Sequence, residues 1–284
     1  MVRLGIYEKA LPENLTWLER LTLVKELGFD FIELSIDETD QRLARLDWDE
    51  ADIEELLLSI KVTGVPIHSI CLSGHRRYSF GSKTLANRQM AAVLLTKTIQ
   101  LAHQLHVPLI QIAGYDVYYE EKSQLSREGF IQGLKKGVAQ AAPLGITLGI
   151  EIMDDPFMNS ISKFLKIKEQ IASPYLQVYP DLGNLSAWPE NEASYELEKG
   201  INHIVAIHLK DTLGVTQEFA GQFRDVPFGE GCVDFLGLLT TLRRLDYQGS
   251  FLIEMWSGKQ SDFKEAIHQA KAYLEPLLQE AGYE

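Results

Sequence analysis

Two glutamates stand inside apolar stretches of the sequence, where a carboxylate is unexpected. Glu151 lies in "TLGIEIM" (147–153), and Glu254 lies in "FLIEMW" (251–256). An unpaired carboxylate in an apolar interior is costly, so it normally has a partner or loses its charge. Two such exceptions in one chain indicate a shared cause, which has to be sought in the elements that carry them.

Short β-rich apolar runs recur between longer amphipathic stretches. There are eight of these runs, at 4–8, 31–36, 66–73, 109–115, 147–153, 176–181, 205–211 and 250–256. The stretches between them show apolar residues at helical spacing, as in "TWLERLTLVKELG", which ends at a plausible capping glycine, Gly28. Eight strand-then-helix units predict an α/β fold, a (β/α)₈ TIM barrel formed as one domain by residues 1–284. A doubly wound open sheet is the alternative, but "GIYEKALPENL" has no glycine-rich phosphate turn.

Barrel strands alternate between an inner face and a face covered by helices. This alternation directs four polar side chains inward near the carboxyl ends of strands 5 to 8: Glu151, Asp181, His208 and Glu254. Barrel enzymes place their chemistry at that end. We therefore predict that the four side chains converge on one polar centre, where a cation offsets their charge.

Two Glu, one Asp and one His form a hard, oxygen-rich ligand set with one nitrogen. Such a set suits one divalent ion (Zn²⁺, Mn²⁺, Co²⁺ or Mg²⁺), and ligand type does not choose among them. Each residue alone has an ordinary structural explanation, such as a salt bridge, a hydrogen-bonded core histidine or a turn. All four side chains, however, point to the inner face and lie at the same end of the barrel, which favours the metal site.

The composition restricts the class of protein. The 284 residues are 45% hydrophobic and 24% charged, as in ordinary globular proteins. The net charge of −13 argues against nucleic acid as a partner, and no apolar run is long enough to span a membrane. The first residues do not resemble a signal peptide, and two isolated cysteines do not make a disulfide framework. We therefore predict a cytoplasmic location.

Several segments together resemble a known family: "IEIMD", "YPDLGN", "AIHLKD", "VPFGEG", "LIEMW" and "SGHRRYSFGS". They resemble the L-xylulose-5-phosphate 3-epimerases, also called L-ribulose-5-phosphate 3-epimerases or hexulose-6-phosphate isomerases, which are xylose-isomerase-like barrels. The resemblance runs over nearly the whole chain. It implies a phosphorylated ketose as substrate, a homo-oligomer of two or more subunits, and a place in L-ascorbate degradation.

The resemblance also implies roles for the inward-facing residues. Glu151, Asp181, His208 and Glu254 match the ligands of one metal ion, and Glu151 and Glu254 match the catalytic acid/base pair. One glutamate would take the proton from C3 and the other would return it on the opposite face, through a metal-stabilised cis-enediolate. The residue types agree, because inversion by proton transfer needs two groups on opposite sides of one carbon.

Two further positions are implied to contact the substrate. Asn184 stands where related ketose epimerases have a substrate-binding histidine; it can still hydrogen-bond, but the exact sugar is left open. Arg224 in "FRDVPFGEG" matches an arginine that contacts a metal ligand and the substrate. A surface ion pair is the alternative role for Arg224.

Two clusters compete for the substrate phosphate. One follows strand 3 and the other follows strand 8: Ser73, His75, Arg76 and Arg77 in the first, and Ser257 and Lys259 in the second. Arginine forks suit phosphate, whereas barrels often bind phosphate in the loops after strands 7 and 8. The sequence leaves both clusters open.

The leading prediction is a metal-dependent 3-epimerase of L-xylulose 5-phosphate or L-ribulose 5-phosphate. Aldose–ketose isomerisation on the same scaffold would need a second metal site, and the sequence offers one full ligand set. An apurinic endonuclease would need more histidine ligands and a basic surface. A non-catalytic sugar-binding barrel would not need both Glu151 and Glu254.

Overall fold

The computed structural model describes residues 3–283, and eight parallel strands form its centre. The strands are β1 Leu4–Tyr7, β2 Phe31–Ile36, β3 Ile67–Leu72, β4 Leu109–Ala113, β5 Thr147–Glu151, β6 Leu176–Tyr179, β7 Ala206–Leu209 and β8 Ser250–Ile253. Each strand lies within one of the eight runs predicted from the sequence. The prediction of a TIM barrel is therefore confirmed.

Helices follow the strands along the chain. Within residues 3–283 they are α1 Trp17–Glu26, α2 Asp40–Leu43, α3 Glu50–Thr63, α4 Leu85–Gln104, α5 Gln124–Ala141, α6 Ile161–Lys168, α7 Leu182–Ser186, α8 Ala193–Gly200, α9 Phe235–Arg244 and α10 Phe263–Glu280. Helix α1 begins at a capping box formed by Thr16 and Glu19, and Gly28 follows its end with a φ of 74°. None of the helices in this part of the chain is long and apolar enough to cross a membrane.

The sheet is continuous from β6 through β1 to β7, in the order β6-β5-β4-β3-β2-β1-β8-β7. Strands β6 and β7 close the barrel through isolated bridges rather than a regular ladder. One of these bridges joins Asp181 to His208, with the His208 amide donating to Pro180 O at 2.9 Å. The seam of the barrel therefore brings two of the predicted ligands side by side.

The inside of the barrel changes character along its axis. Its amino-terminal part is filled by large apolar side chains such as Phe31 and Leu109, the first residues of β2 and β4. Gly5 leaves room for Phe31, since a Cβ at Gly5 would lie 2.0 Å from the ring. Toward the carboxyl ends of the strands, the inward positions become polar, and the predicted site lies there.

Candidate metal centre

The four predicted ligands meet at the carboxyl end of the barrel. Glu151 is the last residue of β5, His208 lies within β7, and Glu254 follows β8. Asp181 comes after β6 and caps α7, where its Oδ1 accepts from the Asn184 amide at 2.6 Å. One ligand atom from each of the four residues lies within 4.8 Å of the others. The predicted convergence on one centre is confirmed.

The orientation of His208 is fixed by contacts on both ring nitrogens. Nε2 lies 3.0 Å from Glu33 Oε1, and Nδ1 lies 3.1 Å from Glu151 Oε1. Ser69 in turn donates to the other Glu33 oxygen at 2.5 Å. A carboxylate on the far nitrogen of a histidine is the usual support of a metal ligand. Nδ1 is therefore the nitrogen that faces the centre.

The donor set fits a divalent cation. Asp181 Oδ2 is buried and has no hydrogen bond; its contact with the Lys210 ammonium, at 3.1 Å, lacks hydrogen-bond geometry. It lies 3.9 Å from His208 Nδ1, and Glu254 Oε2 lies 3.8 Å from the same nitrogen. Carboxylate oxygens gathered around one imidazole nitrogen suit Mn²⁺, Co²⁺, Zn²⁺ or Mg²⁺.

Burial and crowding change the protonation of the group. Burial raises the pKa of Glu151, and it raises the pKa of Asp181 to about 7. Burial acts in the same direction on Glu254, but the charges of Lys210 and His208 outweigh it and lower the pKa of Glu254 to about 2. For His208, burial lowers the pKa, but nearby carboxylates raise it well above its ordinary value. A divalent ion binding here would release protons that the crowded site retains.

Two members of the site had no role in the sequence prediction. Glu33 supports His208 from β2, and Lys210 lies 3.0 Å from Glu254 Oε2. We call the whole group the carboxylate cluster: Glu33, Glu151, Asp181, His208, Lys210 and Glu254. The signal for Glu33 was present, because "FIELSI" also places a glutamate inside an apolar strand with inward parity. Lys210 shares the inward parity of His208.

Asn184 and Arg224 lie beside the carboxylate cluster in different ways. Asn184 is buried, and its amide nitrogen donates to Ile152 O at 2.9 Å while its Oδ1 has no hydrogen bond. The Arg224 guanidinium lies over the Trp256 ring, 4.9 Å from its centroid. The cation in direct contact with Glu254 is Lys210. Substrate contacts of Asn184 and Arg224 stay predictions.

A cavity of about 540 Å³, which we call the mouth cavity, opens above the strands. Ser73 and Arg76 line it from the loop after β3, and Lys259 lines it from the loop after β8. Arg224 and Trp256 complete this part of the wall. The two clusters that competed for the phosphate in the sequence are therefore neighbours in one cavity.

Arg76 is the best placed cation of the mouth cavity. Its guanidinium lies between two rings, 5.4 Å from the centroid of Tyr115 and 5.3 Å from that of Tyr118. Its Nε is buried without a hydrogen-bond partner. The Lys259 side chain, in contrast, is 83% exposed, and its Nζ lies 3.7 Å from Glu13 Oε1.

Three other predicted phosphate contacts have different surroundings. His75 is buried against Phe80, and its Nε2 lies 3.1 Å from Ala91 O. Arg77 is exposed and pairs with Asp40 at 2.6 Å. Ser257 is buried and donates to Ala10 O at 3.0 Å. Their own contacts thus tie these three side chains to the protein, and a role in phosphate binding stays untested for each.

A second cavity, the side cavity, reaches the carboxylate cluster. Its volume is about 410 Å³, and its wall includes Lys210, Glu254 and Phe228. Trp256 belongs to the walls of both cavities. One substrate in contact with Trp256 could therefore lie between the carboxylate cluster and the basic residues of the mouth cavity.

Comparison with known proteins identifies relatives over the full length of the chain. A family model described as "Xylose isomerase-like TIM barrel" matches residues 21–277. SgbU of Escherichia coli strain K12 is 54% identical over 281 residues, with 99% of this chain and 98% of SgbU covered. The L-ribulose-5-phosphate 3-epimerase UlaE of Escherichia coli strain ATCC 8739 is 47% identical over 281 residues, covering 99% of this chain and 96% of UlaE.

Solved structures share the fold at much lower identity. The structure of an L-ribulose 3-epimerase has a TM-score of 0.79 at 18% identity and covers 99% of this chain and 96% of its own. The 3-keto-D-glucoside 4-epimerase YcjR of E. coli has a TM-score of 0.77 at 20% identity, covering 97% of this chain and all of its own. These two likenesses establish the barrel architecture.

Proposed function

Because this chain belongs to the xylose isomerase-like TIM barrel family, we propose that it is a metal-dependent 3-epimerase of a ketopentose 5-phosphate. The full-length likeness to UlaE makes it a carbohydrate epimerase, which is a type of isomerase. L-Ribulose 5-phosphate and L-xylulose 5-phosphate are the substrate pair that we propose. The observation that carries the proposal is the convergence of Glu151, Asp181, His208 and Glu254 at the carboxyl end of the barrel.

These four residues would hold the divalent ion, which when bound supplies Lewis-acid polarisation of the C2 carbonyl. The two glutamates then carry out the proton transfers. One carboxylate removes the proton from C3, and the other, as a carboxylic acid, delivers a proton to the opposite face of that carbon. Glu151 ends β5 and Glu254 follows β8, so the two carboxyl groups approach the centre from different sides of the barrel.

The mouth cavity supplies the phosphate site in this proposal. Arg76, whose Nε lacks a partner, and Lys259 are its main cations, and Ser73 adds a hydroxyl group. Arg42 also lines this cavity, although no sequence motif pointed to it. Guanidinium groups bind phosphate through paired N–H donors, which offsets the repulsion from the net charge of −13.

Deuterium exchange tests the proposal directly. Protein loaded with Mn²⁺, Co²⁺ or Zn²⁺ is incubated with L-ribulose 5-phosphate in D₂O, and the product is followed by NMR. We expect L-xylulose 5-phosphate with deuterium at C3, and we expect a chelator to abolish turnover until metal is restored. Full activity in protein shown by elemental analysis to lack metal would contradict the metal dependence.

The same experiment separates the rival functions. An aldose–ketose isomerase would yield an aldose and leave C3 unlabelled. A sugar-binding barrel would leave the ketose unlabelled. Within residues 3–283, one group of at least three metal-ligating side chains is present, which favours the epimerase over an isomerase that uses two metal sites.

Three properties remain outside these tests. The proposed homo-oligomer, a dimer or larger, would be measured by light scattering of the purified protein. The proposed cytoplasmic location would be measured by cell fractionation. The native metal would be identified by elemental analysis of protein purified without added ions.

A further inference from the structure

Lys210 is a buried cation inside the carboxylate cluster, and the proton transfers above give it no task. Its ammonium lies 3.0 Å from Glu254 Oε2 and 3.1 Å from Asp181 Oδ2, with 8% of its side chain exposed. The same two oxygens face His208 Nδ1 at 3.8 and 3.9 Å. Lys210 therefore contacts the oxygen atoms through which Asp181 and Glu254 would hold a metal ion.

The cluster has more carboxyl groups than basic groups. It contains four carboxyl groups and two basic groups, His208 and Lys210. Buried carboxylates that lie close together are costly unless a cation offsets them. A lysine ammonium is a compact point charge with three N–H donors, so it can bridge two carboxylates in a metal-free protein.

The Trp256 ring offers the Lys210 ammonium a second binding position. Lys210 and Trp256 both line the side cavity, and the Lys210 Nζ lies 5.7 Å from the Trp256 ring centroid. The face of a tryptophan attracts a cation at about this distance. A short movement toward the ring would free the two oxygens without leaving the ammonium in apolar surroundings.

We propose that Lys210 is a built-in counter-ion, which holds Asp181 and Glu254 in place before the metal binds and competes with the metal for their oxygens. It thereby lowers the metal affinity of the site while keeping the metal-free barrel stable. This inference rests on the proposed function in one respect, namely that a divalent ion binds at the carboxylate cluster.

The test compares wild-type protein with Lys210→Met, which removes the charge and keeps most of the side-chain volume. Mn²⁺ affinity is measured by calorimetric titration of chelator-treated protein, and thermal stability is measured without metal. We expect the variant to bind Mn²⁺ on the order of tenfold more tightly, because a positive charge beside the ion is lost. We also expect its metal-free melting temperature to fall by several degrees, since Asp181 and Glu254 lose their counter-ion.

Lys122→Met is the matched control. The Lys122 ammonium also bridges two carboxylates, 2.8 Å from Asp116 Oδ1 and 2.9 Å from Asp155 Oδ2, but it lies outside the carboxylate cluster. Its loss should leave the Mn²⁺ affinity unchanged. Unchanged or weaker Mn²⁺ binding in Lys210→Met would overturn the inference.

A second measurement needs no variant. In ¹⁵N NMR spectra of the lysine side chains of wild-type protein, we expect one ammonium signal to shift when diamagnetic Zn²⁺ is added. Lysine signals that stay in place while Zn²⁺ binds would also overturn the inference. Failure of wild-type protein to bind any divalent ion is a separate result, and it would remove the proposed function itself.

Discussion

Two buried charged groups lie at the same end of the barrel, and they are built in opposite ways. The carboxylate cluster surrounds two basic side chains with four carboxyl groups. The second group, which we call the arginine cluster, surrounds one carboxylate with three guanidinium groups: Glu8, Arg20, Arg42 and Arg45. Both groups bear the cost of burying charge, so the difference lies in how that charge is compensated.

The arginine cluster satisfies its carboxylate from within the protein. Glu8 Oε1 contacts Arg20 at 3.0 Å, as well as Arg42, and Oε2 contacts Arg45 at 2.7 Å. The amide of Ser35 donates to Oε2 at 2.8 Å. Burial alone would raise the pKa of Glu8, but the three arginines lower it well below its ordinary value. The protein's own arginines thus stabilise the ionised form of this carboxylate.

The carboxylate cluster is left incomplete by the protein. Asp181 Oδ2 has no hydrogen bond, and the cluster has four carboxyl groups for two basic side chains. The surplus charge of each group therefore indicates its ligand: a cation for the carboxylate cluster, and an anion near the arginine cluster, whose Arg42 lines the mouth cavity. A metal ion and a sugar phosphate would meet both demands.

The largest effect is expected on epimerisation, when a glutamate of the carboxylate cluster is replaced. Glu151→Gln and Glu254→Gln should each reduce epimerisation by at least about 10²–10⁴-fold, because each loses a proton-transfer group and a metal ligand. The double variant should lose little more than either single variant, since the two act as one unit. The measurement is the rate of C3 deuterium incorporation at saturating metal.

Folding has to be checked separately in these variants. Glu54→Gln, an exposed change on α3, is the matched control and should retain full activity. Circular dichroism should show the wild-type secondary structure in the two single variants, the double variant and the control. Near wild-type turnover in Glu151→Gln or Glu254→Gln would remove that residue from the proposed mechanism.

The next largest effect is expected on stability, when the carboxylate of the arginine cluster is removed. Glu8→Gln should lower the free energy of unfolding by about 3–5 kcal/mol, because three guanidinium groups lose the buried carboxylate that they share. Urea unfolding of metal-free protein measures this loss. Asp40→Asn removes an exposed pair with Arg77 and should cost at most about 1 kcal/mol. Equal effects of the two changes would refute the structural role of Glu8.

The smallest effect is expected on KM for the phosphorylated ketose, when a basic residue proposed to bind the phosphate is replaced. Arg76→Ala should raise KM for the phosphorylated ketose by about 10-fold or more while changing KM for the free sugar little. Lys259→Ala should act in the same direction but more weakly, because Lys259 is 83% exposed. Arg77→Ala is the neighbouring control, since Arg77 pairs with Asp40 at the surface.

The measurement is the ratio of kcat/KM for the phosphorylated ketose to kcat/KM for the free sugar, in wild-type protein and in each of the three variants. If all three variants keep the wild-type preference for the phosphorylated ketose, the phosphate is bound elsewhere. A loss confined to Arg77→Ala would move the phosphate site outside the mouth cavity.

The sequence by itself determined the strands and the candidate ligand set. Alternation within a strand is a local property, because successive side chains point to opposite faces, and a glutamate among apolar residues is visible wherever it occurs. Hence Glu151, His208 and Glu254 could be assigned to the inner face without coordinates. The same alternation in "FIELSI" places Glu33 on the inner face of β2.

Only the tertiary structure decided how these residues combine. The contact between His208 and Glu33 joins positions 175 residues apart, and the mouth cavity unites Arg76 with Lys259 from opposite parts of the chain. Likewise, the sequence placed Lys210 on the inner face but could not show which oxygens its ammonium contacts. Such contacts depend on the closure of the barrel, which sets distances between strands that no local pattern encodes.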